Sequence, residues 1–327
     1  MFWGVDSKST KHQVQSTKYK DQQMTIFQAI VLGIVQGLTE FIPVSSTAHL
    51  VFAARAVGLY AGVDKTLQAQ QTTASMAVIQ LGTLLAVLVY FARDIVNITT
   101  AFARDHLTLI GLGRRTSGVL TNPDSGVGAS KLSHDAWLGW LVIIGSLPVA
   151  IVGLIFKEQI EGTFTKNLWV IATMMILVGI LLASAERVGR RDRDMTQLGL
   201  RDALAVGFAQ VLALIPGSSR SGSTMMGGLF VGETRETAAR FSFLLSIPAI
   251  AASGLLELGE AIEKLPADSY LSLAVATVVA GIVGYASIWF LLRFLRTHST
   301  GVFIVYRVIV GGLILLALAG GYLSASI

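Results

Sequence analysis

The sequence has 327 residues, of which 53% are hydrophobic and only 14% are charged, with a mean hydropathy of +0.66 and a formal net charge of +5. Soluble domains carry about 25% charged residues, so the composition excludes an ordinary soluble domain and indicates a polytopic membrane protein; the positive charge lies mainly in loops without an aromatic-basic stripe, so no nucleic-acid partner is predicted. Cysteine is absent, which excludes a disulfide framework, a thiolate metal site and a thiol nucleophile.

Residues 1–25 are polar and are predicted to form a disordered N-terminal tail. They lack the apolar centre of a signal peptide, and Met24 is a second candidate start of translation. The remainder, residues 26–327, is predicted to form one integral membrane domain.

The first apolar region, residues 26–58, is interrupted in its middle by the segment IPVSST. Before the interruption, Gly33, Gln36, Gly37 and Glu40 recur at the spacing of one helix face. The glycines would let another backbone approach, and the two polar side chains would supply oxygens. A buried hydrogen bond on a small-residue packing face is the structural alternative, but an unpaired buried carboxylate is costly, so Glu40 is predicted to be functional.

A second helix is predicted to begin directly after this interruption, around Ser45, Ser46 and Thr47. Helix capping explains one hydroxyl, but it explains neither three hydroxyls nor His49. Ser46 and His49 would lie one turn apart on the same helix face, and a hydroxyl within reach of an imidazole is the minimum for an activated nucleophile. A satisfied structural histidine is the alternative.

Six long apolar segments are predicted to cross the membrane, three after the first broken region and three after a second one. The predicted spans are 75–92, 136–156, 167–185, 238–258, 271–293 and 302–322. The second broken region, residues 203–231, is interrupted by IPGSSRSGS. Irregular backbone at membrane depth is tolerated only inside protein or beside a water-filled cavity, so both broken regions are predicted to be re-entrant helical hairpins.

The interruption of the second hairpin includes PGSSRSGST at residues 216–224, which combines glycines and hydroxyls with Arg220 at a predicted helix start. Backbone N–H groups and the helix dipole favour an anion there, and Arg220 adds a planar fork that suits a phosphate. The alternative is a polar hinge in which Arg220 neutralises Glu40, and both can hold in the resting protein. Because lipid surrounds the hairpins, the predicted ligand is anionic at one end and apolar at the other, as a lipid phosphate or diphosphate is.

The two broken regions resemble each other, which predicts an internal repeat with halves at about 26–185 and 203–322. An alignment with a gap of one residue matches Gln36 with Gln210 and the proline of the first break with that of the second. The predicted fold is an all-α polytopic membrane protein, with six transmembrane helices and two re-entrant broken hairpins arranged as an inverted-topology repeat.

The distribution of lysine and arginine predicts the orientation of the chain. If each hairpin returns to the side from which it entered, fourteen basic residues share one side, in loops 93–134, 186–201, 232–240 and 294–301 and at Arg293. The positive-inside rule places them in the cytoplasm. Both termini and the opening of the first hairpin are then predicted to face the external, periplasmic side.

Two long motifs make the sequence similar to the undecaprenyl-diphosphate phosphatase family, the bacterial bacitracin-resistance proteins. The family motif (E/Q)GxTEFxPVSSTxH matches QGLTEFIPVSSTAH at residues 36–49, and PGxSRSGxT matches PGSSRSGST at residues 216–224. Lesser matches are VIQLGTLLAVL at 78–88, FSFLLSIP at 241–248 and YRVIV at 306–310. The resemblance runs from about residue 26 to residue 322.

The resemblance implies a multi-pass enzyme of the bacterial inner membrane that removes the terminal phosphate of undecaprenyl diphosphate. The product, undecaprenyl phosphate, is the lipid carrier of peptidoglycan precursors, and its recycling confers bacitracin resistance. By position, the implied central residues are Glu40, Ser46, His49 and Arg220. The implied substrate contacts are Ser45, Thr47, Ser219, Ser221, Gly222 and Thr224.

The resemblance also implies a divalent cation, Mg²⁺ or Ca²⁺, held by Glu40 and Gln36. Many family members have glutamate at the position of Gln36, but an amide oxygen is still a ligand for a hard cation. With one negative charge fewer, the metal is predicted to bind more weakly or to be held mainly by Glu40 and the diphosphate. Either Ser46 attacks the terminal phosphorus with His49 as base, or His49 itself attacks.

A transporter or flippase for polyprenyl phosphates is the main alternative function, since inverted repeats with broken hairpins also occur in transporters. The group of Glu40, Ser46 and His49 favours chemistry, because transport needs no nucleophile. The glycine-rich segment 309–321 permits close packing between protomers, as in a homodimer, and equally packing within one chain.

Overall fold

A computed structural model describes residues 23–109, 132–156, 167–265 and 267–325. The predicted disordered tail therefore lies outside the described residues up to residue 22, and Thr25 caps the first helix. The described part of the chain is helical. Its α-helices are α1 (Ile26–Phe41), α2 (Ser46–Ala56), α3 (Lys65–Tyr90), α4 (Ala92–Leu109), α5 (His134–Ile155), α6 (Leu168–Val188), α7 (Leu200–Val211), α8 (Arg220–Phe230), α9 (Arg235–Lys264), α10 (Tyr270–Leu295) and α11 (Gly301–Ala319).

The six predicted membrane spans are confirmed. Six helices are long and apolar enough to cross a bilayer, namely α3, α5, α6, α9, α10 and α11. The largest difference is at the start of the first span, which was predicted at residue 75, whereas the apolar helix already begins at Thr66. The earlier turns carry glutamines and threonines, whose low hydropathy hides a helix from a search for apolar runs.

The prediction of a loop at residues 93–134 is wrong in its first part, because the helix α4 occupies Ala92–Leu109. This helix follows Phe91 directly, packs against α5 and buries Ala101 and Asp105. Its charged and apolar residues lie on opposite sides, so its mean hydropathy is too low to be recognised as a membrane segment. Residues 110–131 of the same predicted loop lie outside the described residues.

The two broken regions have the same length in the structure. Helix α1 begins at residue 26 and α7 at 200, while α2 spans 46–56 and α8 spans 220–230, so matching positions differ by 174 (200 minus 26, and 220 minus 46). Both residues before the second half-helix have positive φ, 79° at Ser45 and 66° at Ser219. The repeat therefore needs no gap, unlike the sequence alignment.

The displaced alignment has a local cause. The first hairpin leaves its helix directly at Phe41, whereas the second tightens into a 3₁₀ turn, Leu212–Leu214, before its break. That turn moves the second proline one position earlier relative to the following helix. In the structure Ser46 therefore corresponds to Arg220, and the Ser-Ser pairs are offset by one residue.

Packing between the halves is reciprocal. Helix α10 of the second half packs against α1 and α3 of the first, and α5 of the first packs against α7 and α9 of the second. At 1.5 Å per residue, helices of 16 and 11 residues extend about 24 and 17 Å, less than the hydrocarbon core of about 30 Å. These lengths favour re-entrant hairpins, and the return of each hairpin to its side of entry stays a prediction.

The predicted close approach at the glycine face of α1 is confirmed. A Cβ atom at Gly33 would lie 2.6 Å from the carbonyl oxygen of Ala276, and one at Gly37 would lie 2.8 Å from the backbone nitrogen of Gly284. Both contacts are with α10. This packing fixes α1 against the second half of the protein and turns Gln36 and Glu40 inward, where both are buried.

Candidate functional site

The two broken hairpins are joined by a buried ion pair. Glu40, in the last turn of α1, accepts a hydrogen bond from Arg220 at the start of α8, with 2.6 Å between Oε1 and Nη2. The second carboxylate oxygen accepts from Nε2 of Gln36 at 3.0 Å, and Gln80 of α3 approaches Oε1 at 3.4 Å. Arg220 also donates to the carbonyl oxygen of Ser246 at 3.3 Å. The neutralisation of Glu40 by Arg220, expected as one alternative, is present in this structure.

The break before α8 presents the polar start of a helix. The Ser219 hydroxyl accepts a hydrogen bond from the backbone N–H of Gly222 at 3.2 Å and lies 3.2 Å from the Ser221 hydroxyl. Thr224 lies deeper, where its hydroxyl donates to the carbonyl oxygen of Arg220 and contacts Ser242. The structure thus places Ser219, Ser221 and Gly222 in the turn that carries Arg220, with Thr224 supporting that turn from inside.

His49 is held by two groups, and Ser46 is not one of them. Its Nδ1 lies 2.7 Å from the carbonyl oxygen of Ser45, and its Nε2 lies 2.6 Å from the hydroxyl of Tyr306 in α11. Because a carbonyl oxygen can only accept, Nδ1 carries the proton and Nε2 is the acceptor. The expected hydrogen bond between Ser46 and His49 is therefore not formed here, since Tyr306 occupies the nitrogen that would act as base.

The other two hydroxyls of the first break differ in exposure. Thr47 is exposed, whereas Ser45 is buried, and its Oγ has no hydrogen-bond partner within the described ranges. Ser45 precedes α2 but does not cap it with its side chain. An unpartnered buried hydroxyl is costly, so it indicates a place for a polar ligand atom.

Arg307 supports both breaks at once. Its guanidinium is fully buried and donates to the carbonyl oxygens of Pro43 (3.2 Å), Gly217 (3.1 Å) and Ser218 (2.8 Å). Two further carbonyls, of Met174 and Met175 in α6, accept from the same side chain. The first and second hairpins therefore share one cation, which adds positive potential beneath the site.

The fit of a divalent cation is decided by Gln36 and Glu40. Gln36 donates its amide N–H to Glu40, which leaves the amide oxygen buried without a partner among the described residues. No group of three His, Asp or Glu side chains close enough to hold a metal occurs within the described ranges. Mg²⁺ is often held by one or two protein oxygens together with substrate phosphates, and these residues fit that arrangement and not a closed protein cage.

Five residues whose side chains contact these groups were not predicted from the sequence, namely Gln80, Thr83, Ser242, Tyr306 and Arg307. Arg307 is a charge within the predicted span 302–322. The signal that could have found them was present, because they lie in the lesser motif matches at 78–88, 241–248 and 306–310. All three lesser segments contribute a side chain that contacts a residue of a broken hairpin.

Fold and site together define an α-helical, multi-pass membrane protein in which two broken hairpins meet at a buried carboxylate–guanidinium pair suited to an anionic ligand. The chain belongs to the family described as bacitracin resistance protein BacA, whose model matches residues 29–313. It is 50% identical over 292 residues to a protein of Syntrophobacter fumaroxidans named undecaprenyl-diphosphatase, covering 89% of this chain and 97% of that one. Proteins of the same name from Chloroherpeton thalassium and Mycolicibacterium vanbaalenii are each 45% identical, with 92% of this chain and 100% of theirs covered.

Proposed function

We propose that this protein is a membrane phosphatase that hydrolyses undecaprenyl diphosphate to undecaprenyl phosphate and inorganic phosphate. Water is consumed, and the bond between the terminal phosphorus and the bridging oxygen is broken. The observation that carries the proposal is the meeting of Glu40 and Arg220 at two hairpin breaks, in a chain whose curated relatives are named undecaprenyl-diphosphatase. Recycling of this lipid serves peptidoglycan synthesis and gives bacitracin resistance.

Substrate binding begins with the exchange of partners at Arg220. In the resting protein this guanidinium pairs with Glu40. A diphosphate oxygen is a stronger partner for a planar fork because it carries more charge and accepts bidentate hydrogen bonds. The first turn of α8, capped by Ser219, adds N–H groups and the positive end of the helix dipole. Binding then releases Glu40 from its ion pair at the place where the reaction occurs.

Proton transfer is assigned to Nε2 of His49. The carbonyl oxygen of Ser45 holds the Nδ1 proton, which fixes the tautomer and the ring orientation. Tyr306 must leave Nε2 before this atom accepts a proton from Ser46, or attacks phosphorus itself. Trapping a phospho-enzyme and finding the phosphate on serine or on histidine separates these two routes, and trapping none favours direct attack by water.

The proposed metal ligands are Glu40, once it is released by Arg220, and the unpartnered oxygen of Gln36. A divalent cation, Mg²⁺ or Ca²⁺, would neutralise charge that develops on the phosphoryl oxygens. Glu40 and Gln36 are held in register by α1, since they lie one turn apart on its buried face.

Phosphate release from the detergent-purified full-length protein tests the proposed function against the alternative of a transporter. We expect inorganic phosphate to be released from undecaprenyl diphosphate without vesicles, a gradient or another protein. A transporter would release none under these conditions, yet would still move labelled polyprenyl phosphate between the leaflets of sealed vesicles. The comparisons favour the phosphatase, since the relatives are named for that reaction.

Replacing Gln36 by glutamate is expected to strengthen metal binding. The variant restores a second carboxylate beside Glu40, so the concentration of Mg²⁺ that gives half-maximal activity should fall by about tenfold, the effect of about 1.4 kcal/mol. A metal titration of phosphate release measures this. Gln210, which matches Gln36 in the second half and is also buried, provides the matched control variant Gln210→Glu. Equal metal dependence in wild type and Gln36→Glu would remove Gln36 from the metal site.

Replacing His49 by alanine is expected to lower kcat by about 10²- to 10⁴-fold, the usual contribution of a general base. The Tyr306→Phe variant removes only the hydroxyl that occupies Nε2, and we expect it to change kcat by less than about tenfold, because one hydrogen bond contributes about 1 kcal/mol. Steady-state phosphate release by both variants distinguishes the two roles. A loss in Tyr306→Phe as large as that in His49→Ala would make the tyrosine hydroxyl itself part of the chemistry.

The multi-pass character is established by six apolar helices, and its orientation is a proposal. The basic loops are placed in the cytoplasm, and the termini and the opening of the first hairpin are placed on the periplasmic side. Single cysteines introduced into the cysteine-free chain at Arg190 and at Gly62, followed by labelling with an impermeant reagent from each side of sealed vesicles, test this. Labelling of the Arg190→Cys variant from the periplasmic side would show that the orientation is opposite to the proposed one.

A further inference from the structure

A polar cavity lies away from the hairpin breaks. Its volume is about 150 Å³, and it lies between the ends of α3 and α10 and the beginnings of α4 and α9. Tyr90, Arg240, Trp289, Arg293 and Arg296 are among the residues that line it. None of the residues that we assign to the diphosphate site contributes to its wall.

The charges around this cavity do not balance. Arg240 pairs with Asp94 at 3.2 Å, and Arg296 donates twice to one oxygen of Glu236, at 3.0 and 2.8 Å. Arg293 has no carboxylate partner in the described part of the chain and lies with its guanidinium 5.9 Å from the ring centre of Trp289. Three guanidinium groups thus face two carboxylates, which leaves a net positive charge in the cavity.

One donor inside the cavity wall is also unpartnered. The Nε atom of Arg240 is buried and has no hydrogen-bond acceptor in the described structure. A buried N–H without an acceptor is costly, and Arg240, which lines the cavity, can remove that cost by turning its guanidinium toward an anion there. The unpaired charge of Arg293 and the unsatisfied donor of Arg240 both call for an acceptor that the described residues do not supply.

The cavity opens beside the lipid-facing surface. Trp289 is 55% exposed and Tyr285, one turn away on α10, is 45% exposed, although both are large rings on a membrane span. Exposed Trp and Tyr near the end of a span are typical of the membrane interface, where lipid head groups lie. Basic pockets between transmembrane helices bind anionic head groups.

We propose that this cavity binds the phosphate of an anionic phospholipid head group. The phosphate accepts from Arg293 and from Nε of Arg240, while the glycerol backbone and acyl chains lie along the exposed rings of α10. The cavity end of α10 carries the basic residues that the positive-inside rule places in the cytoplasm, so the ligand belongs to the inner leaflet. Inorganic phosphate has the same chemistry, and the two sources differ in the presence of the acyl chains.

Lipid binding to the detergent-purified full-length protein tests the proposal. Native mass spectrometry measures the affinity for phosphatidylglycerol and, separately, for zwitterionic phosphatidylcholine. Arg293→Gln is the test variant, and Arg187→Gln is its matched control, since both arginines are exposed in the last turn of a membrane span. We expect the affinity for phosphatidylglycerol to fall about tenfold in Arg293→Gln and to change by less than about twofold in Arg187→Gln. The reason is that only the first variant loses a charge-assisted hydrogen bond to the lipid.

Three results would overturn the assignment. Equal weakening by both variants would mean that general surface charge attracts the lipid. Equal binding of both lipids to wild type would mean that the anionic charge is not recognised. Displacement of phosphatidylglycerol by millimolar inorganic phosphate would assign the cavity to the free anion. The melting temperature of each variant in detergent confirms that a loss of binding is not a loss of folding.

Discussion

Replacing Arg220 by alanine is expected to lower kcat/KM for undecaprenyl diphosphate by about 10³-fold or more, the magnitude found when a guanidinium that stabilises a phosphoryl transition state is removed. Arg220 contributes the planar fork at the N-terminus of α8 and is the partner of Glu40. Its removal therefore takes away the anion-binding group and leaves a buried carboxylate without its counter-ion. Phosphate release from purified protein measures the loss.

Two variants make the Arg220 experiment specific. Arg220→Lys keeps the charge but loses the fork, so we expect activity between that of wild type and that of Arg220→Ala. Arg190→Ala removes an arginine that is 82% exposed and pairs with Asp192, so it should leave phosphate release unchanged within about twofold, as surface pairs contribute little. If Arg220→Ala kept more than about a tenth of the wild-type kcat/KM, the guanidinium could not be the group that binds the reacting phosphate.

Replacing Arg307 by methionine is expected to impair both stability and activity. The guanidinium donates to carbonyl oxygens of Pro43, Gly217 and Ser218, which have to be buried for the hairpins to meet. Buried acceptors left without donors cost about 1–3 kcal/mol each, so we expect a loss of at least about 3 kcal/mol. Catalytic groups displaced by about 1 Å lose about 10²-fold in rate, which sets the expected fall in kcat.

The Arg307 prediction is checked by thermal unfolding in detergent together with phosphate release at a temperature where the variant is folded. Arg307→Lys supplies a charge and three donors in place of the planar fork, so it should restore part of the stability but little of the shared geometry. Gly222 supports this reading, since a Cβ there would lie 3.0 Å from Nη1 of Arg307 and leaves little space for rearrangement. A folded Arg307→Met variant with wild-type kcat would show that the cation does not position the hairpins.

Much of the fold could be predicted because its signals are local. Long apolar runs identify spans, and Pro-Gly-Ser interruptions identify breaks, whatever the rest of the chain does. The same locality explains the miss at α4, whose apolar residues are recognised only when a partner surface is known. The start of α3 was missed for a related reason, since its polar first turns form helix without being apolar.

The pairing of Glu40 with Arg220 could be predicted from the sequence, but most other contacts at the hairpin breaks could not. Glu40 and Arg220 stand out because each charge is costly within a membrane segment, and their pairing follows from charge alone. The contact of His49 with Tyr306 joins residues 257 positions apart, and that of Arg307 with Pro43 joins residues 264 apart. Contacts between residues so far apart in sequence leave no local signal. The resting contact of Tyr306 with His49 is therefore recognised only in the three-dimensional structure.

The equal length of the two hairpins bears on the history and stoichiometry of the protein. Counting 174 positions onward, Glu40 meets Leu214 and His49 meets Ser223, so the duplicated backbone does not carry duplicated chemistry. One residue inserted in a half-helix would rotate all following residues by about 100° and displace their contacts, so the length of each hairpin is constrained. Side-chain substitutions cause no such rotation, so the two halves of a duplication can differ in side chains and keep the same hairpin length. The two hairpins together then form one diphosphate site, and calorimetric titration with a non-hydrolysable diphosphate lipid should show one equivalent that is lost in Arg220→Ala.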